Sequence, residues 1–97
     1  MKLTISVIIG FDEGKKISFT DFPISIGRLP DNDFQLNDSY VSRRHCTIYT
    51  DGIFFTVSDL KSTNKTILNE SVLSAPKSFL DGDKLIIGRN ILKLTVG

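Results

Sequence analysis

The sequence predicts an all-β protein, an antiparallel β-sandwich of short strands. Apolar residues recur at every second position in five segments, which are Leu3, Ile5 and Val7; Ile17 and Phe19; Ile24 and Ile26; Cys46 and Ile48; and Leu92, Leu94 and Val96. This period is typical of strands with one buried face. Turn-forming clusters such as DEGK at position 12, PDND at 30 and STNK at 62 separate the segments. No segment has a helical period, so the helical crossovers of a parallel sheet are not expected.

Two further segments are apolar at adjacent positions. Phe54 and Phe55 precede Val57, and residues 85–87 form the run LII. Continuous apolar runs are typical of strands that are covered on both faces. We therefore expect most of these side chains to lie in the core.

Length and composition favour one soluble globular domain that spans residues 1–97. Apolar residues make up 40% of the chain and charged residues 24%, which is ordinary for a globular protein. The net charge of +1 provides no overall field that would attract nucleic acid. A single cysteine and a single histidine provide neither a disulfide nor a zinc cluster, which favours a reducing, cytoplasmic setting.

Three loops carry polar residues that are suited to binding. They contain Gly27 and Arg28, residues 42–45 (SRRH) and residues 62–66 (STNKT). Loops of a sandwich gather at its two ends, so residues that are distant in sequence can form one site. Forked arginine donors, hydroxyls and amides match the oxygens of a phosphate group. Each residue alone also suits an ordinary solvated loop, so the residues by themselves leave both interpretations open.

A catalytic interpretation would start from His45 and Cys46, as base and nucleophile. Neighbouring side chains on a strand point to opposite faces, so this pair cannot form a hydrogen-bonded dyad. The acidic residues lie mainly in turns, with no pairing that indicates a general acid and base. We therefore expect a core position for Cys46 and a binding protein that is not an enzyme.

The order of the motifs along the chain resembles that of a forkhead-associated (FHA) domain. The motifs are SIGR, a PDND turn, VSRRH, DLKSTNKT and LDGDKLIIG, and together they extend over nearly the whole chain. The resemblance implies an FHA/SMAD-like β-sandwich of about eleven strands with the binding loops at one end. It further implies binding of phosphothreonine in partner proteins, for signalling or assembly, without a cofactor or metal.

The resemblance implies that five residues contact the ligand. Arg28 would hold the phosphate, Ser42 would donate its hydroxyl to a phosphate oxygen, and Arg43 would contact the same group. Thr63 would reach the phosphate through its hydroxyl or its amide. Asn64 would hydrogen-bond the main chain of the bound peptide.

Other positions would support this site or stand apart from it. Gly27 would allow a tight turn beside the phosphate, and His45 would hydrogen-bond the recognition loops into place. Arg44 matches a variable position and would only add positive potential. Lys65 stands where the family usually has glycine, so a retained tight turn would give it a positive φ. Arg89, in a second IGR motif, matches the closing hairpin of the family and is assigned no phosphate role.

Two other functions compete with phosphothreonine binding. An FHA-like scaffold could bind a partner without phosphate, through a sheet face or a sheet edge. Nucleic acid could be bound through the basic loop residues Arg43, Arg44, Lys61 and Lys65, although the near-neutral charge and the lack of a basic-aromatic strip count against it. We therefore expect a phosphothreonine-containing partner, with neither nucleic-acid binding nor membrane insertion.

Overall fold

The computed structural model describes residues Met1–Gly97 and contains eleven strands and no helix. The strands are β1 (Leu3–Ile9), β2 (Lys16–Phe19), β3 (Ile24–Gly27), β4 (Phe34–Gln35), β5 (Cys46–Thr50), β6 (Phe55–Asp59), β7 (Thr66–Leu68), β8 (Ser71–Val72), β9 (Lys77–Phe79), β10 (Lys84–Ile87) and β11 (Asn90–Val96). The predicted all-β fold is confirmed. The chain has no helix long and apolar enough to span a membrane.

Two sheets form the sandwich. The six-stranded sheet has the order β2-β1-β11-β10-β7-β8, and the five-stranded sheet has the order β4-β3-β5-β6-β9. Strand pairs are antiparallel except for β3 and β4, which run parallel. The predicted antiparallel β-sandwich is confirmed, and this parallel pair is its one exception. The loop 28–33 leads the chain back so that the two-residue strand β4 lies beside β3, with Phe34 opposite Ile26.

Alternation along the strands places one face of each sheet in a shared core. Leu3, Ile5 and Val7 of β1 are buried and pair with Val96, Leu94 and Leu92 of β11. All of these except Val96 belong to a core cluster of 19 buried residues, and Val96 packs against that cluster. Full burial of each such side chain stabilises the fold by about 1.5 to 3 kcal/mol.

The two continuous apolar runs are not covered on both faces, so that prediction is wrong. Leu85 and Ile87 are buried, whereas Ile86 is half-buried on the outer face of the six-stranded sheet. Phe54 lies before β6 and is 51% exposed, although Phe55 is buried. A sandwich of two layers covers only one face of each sheet, so apolar residues on the other face remain at the surface.

Strand register brings the three polar loops to one end of the molecule. Ile26 pairs with Cys46, and Cys46 pairs with Asp59, so β3 ends where β5 begins and β6 ends. Loops β3–β4 (28–33), β4–β5 (36–45) and β6–β7 (60–65) therefore emerge side by side. The Thr66 hydroxyl, at the start of β7, donates to Asp59 at 2.7 Å and ties the two sheets together at this end.

Candidate functional site

Asp59 organises loop β6–β7 from beneath. Its Oδ2 accepts the Ser62 N–H at 3.0 Å, and its Oδ1 accepts the hydroxyls of Ser62 and Thr66. Burial raises the pKa of Asp59, but these hydrogen bonds outweigh burial and the pKa lies below its usual value. The carboxylate therefore stays charged and fixes the loop. Sequence reasoning missed this role, although aspartate is a common turn residue because its side chain accepts hydrogen bonds from the nearby backbone.

His45 joins two of the loops through its ring. The imidazole is fully buried; its Nδ1 accepts the Ser42 N–H at 3.0 Å, and its Nε2 lies 2.8 Å from the Lys65 carbonyl oxygen. Because Nδ1 accepts, Nε2 carries the proton and donates it to that carbonyl. Burial lowers the pKa of His45, although the Lys65 hydrogen bond and the Asp59 charge raise it in part. The ring is therefore neutral at physiological pH.

Arg28 is anchored at one end and free at the other. Its backbone N–H donates to the Ser42 carbonyl at 3.0 Å, and its side-chain Nε donates to the Val41 carbonyl at 3.1 Å. No protein acceptor or carboxylate pairs with its terminal nitrogens. The half-buried guanidinium is thus held in place while its outer N–H groups remain available to a ligand.

Loops β3–β4, β4–β5 and β6–β7 together form what we call the loop cluster, and Ser42 connects two of these loops. Its Oγ accepts the Thr63 N–H at 3.0 Å, which leaves its own hydroxyl hydrogen without a protein partner. The Thr63 amide is therefore engaged, and only the Thr63 hydroxyl remains for a ligand. Asn64 Nδ2 donates to the Tyr40 carbonyl at 2.8 Å, while Asn64 Oδ1 has no protein donor. Loops β4–β5 and β6–β7 thus present hydroxyl and amide groups side by side.

The backbone of Arg43 passes very close to Gly27. The Arg43 carbonyl accepts the Leu29 N–H at 3.4 Å and Asn32 Nδ2 at 2.9 Å. A Cβ on Gly27 would collide with that carbonyl and come within 2.8 Å of Asn32 Nδ2. Gly27 has no positive φ, so the expectation of a tight turn is wrong, and close approach of the loops is the reason for glycine here. The Arg43 side chain is exposed and unpaired.

Arg44 differs from Arg43 because it has an ion-pair partner. Its Nη2 lies 2.6 Å from Asp31 Oδ2, and its Nη1 donates to Asn32 Oδ1 at 3.2 Å. The expectation that Arg44 adds positive potential is therefore wrong, since Asp31 offsets its charge. Both partners lie in the PDND turn, which thus holds loop β3–β4 against loop β4–β5.

Arg89 is also paired, with the buried carboxylate of Asp38. Its Nε and Nη2 donate to Asp38 Oδ1 at 3.2 and 2.9 Å, and its guanidinium stacks over the Tyr40 ring at 4.4 Å. Burial raises the pKa of Asp38, but hydrogen bonds from the Tyr40 amide and from Arg89 outweigh it and lower the pKa overall. A Cβ on Gly88 would lie 2.8 Å from Asp38 Oδ2, so glycine is required there too.

A shallow cavity of about 370 Å³ lies beside the loop cluster. It is lined by Tyr40, Asn64, Gly88 and Arg89. Sequence reasoning missed Asp38 and Tyr40 because their partners lie in the distant β10–β11 turn.

Lys65 adopts the left-handed conformation that a retained tight turn predicts at this position. Its φ is 66°, and Lys61 in the same loop has a φ of 56°. A left-handed conformation costs a non-glycine residue about 1 kcal/mol or more. The Lys65 carbonyl is the acceptor for His45, so this strained turn is what brings the carbonyl to the imidazole.

Neither His45 nor Cys46 is positioned to act as a catalytic group. Both ring nitrogens of His45 are bound to backbone groups. Burial raises the pKa of the Cys46 thiol to about 12, so it stays protonated. The pair contributes to the packing of β5 and to the attachment of the loops.

Comparison with known proteins identifies the class of this domain. A sequence model of the family described as FHA domain matches residues 24–88. The FHA domain-containing protein FhaB of Mycobacterium tuberculosis is 32% identical over 81 residues, which cover 84% of this chain and 52% of that protein. The glycogen accumulation regulator GarA of Mycolicibacterium smegmatis is 37% identical over 89 residues, covering 91% of this chain and 55% of that protein. The chain thus spans about half the length of these relatives.

A solved structure supports the same assignment over the full chain. An FHA domain studied for phosphothreonine-dependent interactions superposes with a TM-score of 0.88 at 29% identity. The match covers 100% of this chain and 98% of that one. The chain belongs to the FHA domain family, as its motif order predicts.

We expect the free energy of unfolding of the ligand-free protein to fall between about pH 7 and pH 5. The unfolded chain takes up a proton near the ordinary histidine pKa of 6.5, whereas burial lowers the pKa of the folded ring. The Ser42 N–H already occupies Nδ1, so the folded ring also has no free nitrogen for the proton. The contribution of neutral His45 to the free energy of unfolding is therefore fully present above pH 6.5 and is lost as the pH falls below that value. Denaturant titrations measure the loss, and NMR of the single histidine gives the folded pKa.

His45→Asn is the matched control for this pH dependence. The variant should be less stable at neutral pH but should lose little more on acidification to pH 5. The lowered pKa values of Asp38 and Asp59 contribute stability that is lost only as pH falls through values below 3.8. A folded-state pKa of His45 at or above 6.5 would contradict the proposed ring environment.

Replacement of Lys65 by glycine should stabilise the domain by about 1 kcal/mol, because glycine adopts positive φ without steric cost. Thermal unfolding measures the change. Lys65→Ala serves as the control, since it removes the charged side chain and keeps the unfavourable φ. Equal stabilisation by alanine would assign the effect to loss of the side chain and not to the backbone.

Proposed function

We propose that this protein binds partner proteins that carry phosphothreonine, for signalling or assembly. The observation that carries the proposal is the state of Arg28, which is fixed by two hydrogen bonds from its backbone N–H and its Nε yet has no acceptor for its terminal nitrogens. A phosphorylated side chain supplies nearly two negative charges and three strong acceptor oxygens. It is therefore the complementary ligand for a pre-organised guanidinium.

The other loop residues would complete the site around this ion pair. Ser42 would donate its unengaged hydroxyl to a phosphate oxygen, and Thr63 would add its side-chain hydroxyl. Arg43, exposed and unpaired, would contact the phosphate from the rim. Asn64, already fixed by Tyr40, would use Oδ1 to accept an N–H of the peptide main chain. Gly27 and His45 would act indirectly, by holding these loops together.

Family membership supports the same ligand class. The matching solved structure comes from a study of phosphothreonine-dependent FHA domain interactions.

We further propose that the domain is a binding module and not an enzyme, because the groups in its loops serve hydrogen bonding to an anion and none forms a nucleophile-base pair. The unpaired, buried thiol of Cys46 fits a reducing cytoplasmic setting.

Arg28→Ala should weaken binding of a phosphothreonine peptide by about 2 to 5 kcal/mol, the cost of removing one partner from a desolvated charge pair. Isothermal titration calorimetry measures the loss. The fold should survive, because the half-buried guanidinium makes one hydrogen bond within the chain and lies outside the hydrophobic core. Unchanged affinity in a folded variant would refute the assignment of the phosphate site.

Arg44→Ala is the matched arginine control from the same set of loops. Its charge is already offset by Asp31 at 2.6 Å, so its removal should change affinity far less than removal of Arg28. Arg89→Ala tests a different role. It leaves the buried Asp38 carboxylate without two donors and should lower stability more than it lowers phosphate affinity.

Binding should depend on the tetrahedral dianion and on the threonine methyl group. Affinity should fall as pH drops through about 6, the second pKa of the phosphate. Phosphoserine should bind more weakly by about 1 to 3 kcal/mol if a small apolar recess receives the methyl group. A glutamate peptide should fail to bind, since a planar carboxylate with one charge cannot occupy three oxygen positions. Equal affinity for phosphoserine would remove the methyl recess from the proposal.

A further inference from the structure

The outer face of the six-stranded sheet carries an unbroken row of aliphatic side chains. Ile9 lies opposite Ile91, Ile91 opposite Ile86, Ile86 opposite Ile67, and Ile67 opposite Val72. These direct cross-strand pairs cross β1, β11, β10, β7 and β8 in spatial order. We call this row the aliphatic row. It is separate from the loop cluster around Ser42.

No second layer covers the aliphatic row. Ile9 is 53% exposed and Val72 is 59% exposed, while the three isoleucines between them are half-buried by their neighbours alone. A shallow cavity of about 580 Å³ adjoins the middle of the row; Ile86 and Ile91 line it together with Lys84 and residues 69–71 (NES) at the β7–β8 turn. Contiguous apolar surface of this kind on a globular domain is typical of an interaction site.

A row of lysines runs beside the aliphatic row. Lys16 lies opposite Ser6, Ser6 opposite Lys93, and Lys93 opposite Lys84, so three lysines share the outer face. Lys93 and Lys84 are each two residues from the isoleucine of the aliphatic row on the same strand. None of them has an ion-pair partner, since the chain forms only the pairs Arg44–Asp31 and Arg89–Asp38. We call this the lysine row.

The lysine row is unfavourable for the isolated domain. Like charges directly opposite each other destabilise a strand pair, as Lys84 and Lys93 do here. The chain has nearly as many acidic residues as basic ones, so a general excess of lysine does not explain the cluster. Carboxylates from a partner would remove this repulsion, which makes the row electrostatically complementary to an acidic segment.

We propose that this face docks an amphipathic helix of a partner protein, with apolar residues on the aliphatic row and aspartate or glutamate over the lysine row. Four strand spacings give the aliphatic row a length of about 19 Å. A helix of about 13 residues has this length. The lysine row lies about 7 Å away, within reach of carboxylates on the flank of the same helix.

Other occupants fit the face less well. A second copy of the domain would add three more lysines to the interface instead of carboxylates. An anionic lipid surface would satisfy the lysines, but none of the six strands of this sheet contains tryptophan or tyrosine, the residues that are enriched at membrane interfaces. The charge pattern therefore favours an acidic helix.

The test uses synthetic helical peptides and the intact domain. The probe is a fluorescein-labelled peptide of about 14 residues, with leucines spaced at i, i+4, i+7 and i+11 along one face and glutamates on one flank. A second peptide carries lysine in place of the glutamates, and a third has a scrambled order. We expect the glutamate peptide alone to bind, as measured by fluorescence anisotropy at low and high salt.

Charge reversal on the protein tests complementarity directly. The double variant Lys84→Glu/Lys93→Glu should bind the glutamate peptide at least tenfold more weakly and should gain binding to the lysine peptide. Ile86→Ser should weaken binding of the glutamate peptide to the unaltered domain, and it should weaken binding of the lysine peptide when combined with the charge reversal. The control variant Lys2→Glu/Lys77→Glu changes two exposed lysines outside the lysine row and should bind like the unaltered domain. Phosphothreonine-peptide affinity, measured on the same variants, should stay unchanged, which keeps this proposal independent of the loop site.

Several outcomes would overturn the proposal. Equal binding of the scrambled peptide, or no exchange of peptide preference in the charge-reversed variant, would show that the two rows do not act together. Binding to phosphatidylserine vesicles without binding to the helix would assign the face to a lipid surface. Dimerisation of the domain that Ile86→Ser abolishes, measured by light scattering, would assign it to a second copy.

Discussion

The binding end of this domain depends on one neutral imidazole. His45 accepts the Ser42 N–H and donates to the Lys65 carbonyl, while its own backbone N–H donates to Ile26. The side chain of this residue therefore joins two loops, and its backbone ties them to β3. Protonation of Nδ1 would place a second donor opposite the Ser42 N–H and break that hydrogen bond. The loops therefore keep this geometry only while the ring is neutral. Burial keeps the ring neutral by lowering its pKa, and that keeps the loops in place.

Arginines at this end fall into two physically different groups. Arg44 and Arg89 have their charges matched by Asp31 and Asp38, and they hold loops together. Arg28 and Arg43 have no such partners. Arginine content alone therefore does not identify a phosphate site. The relevant property is a guanidinium that the fold positions but does not neutralise, and Arg28 meets that description best because Val41 fixes its Nε.

Sequence could predict the strands but not the contacts between loops. Period-two alternation identified the longer strands, since each buries one face. It could not identify β4 or β8, because two residues establish no period. The outward position of Ile86 follows from the two-layer sandwich, which covers one face of each sheet, and the local apolar run does not reveal which of its residues face outward. Asp38 and Arg89 are separated by 51 positions, and the true reason for Gly27 is the nearby Arg43 carbonyl, so both follow from the assembled fold alone.

The two candidate surfaces share β7 without sharing side chains. Thr66 points inward and binds Asp59 beneath the recognition loops, whereas Ile67, the next residue, lies in the aliphatic row. Alternation along a strand thus lets one short segment serve both surfaces. Because the sheet holds them at a fixed separation, a partner that carries a phosphothreonine and an acidic helix at a matching distance would bind both at once. Its second contact would form at high effective concentration, so two weak interactions would combine into a selective one.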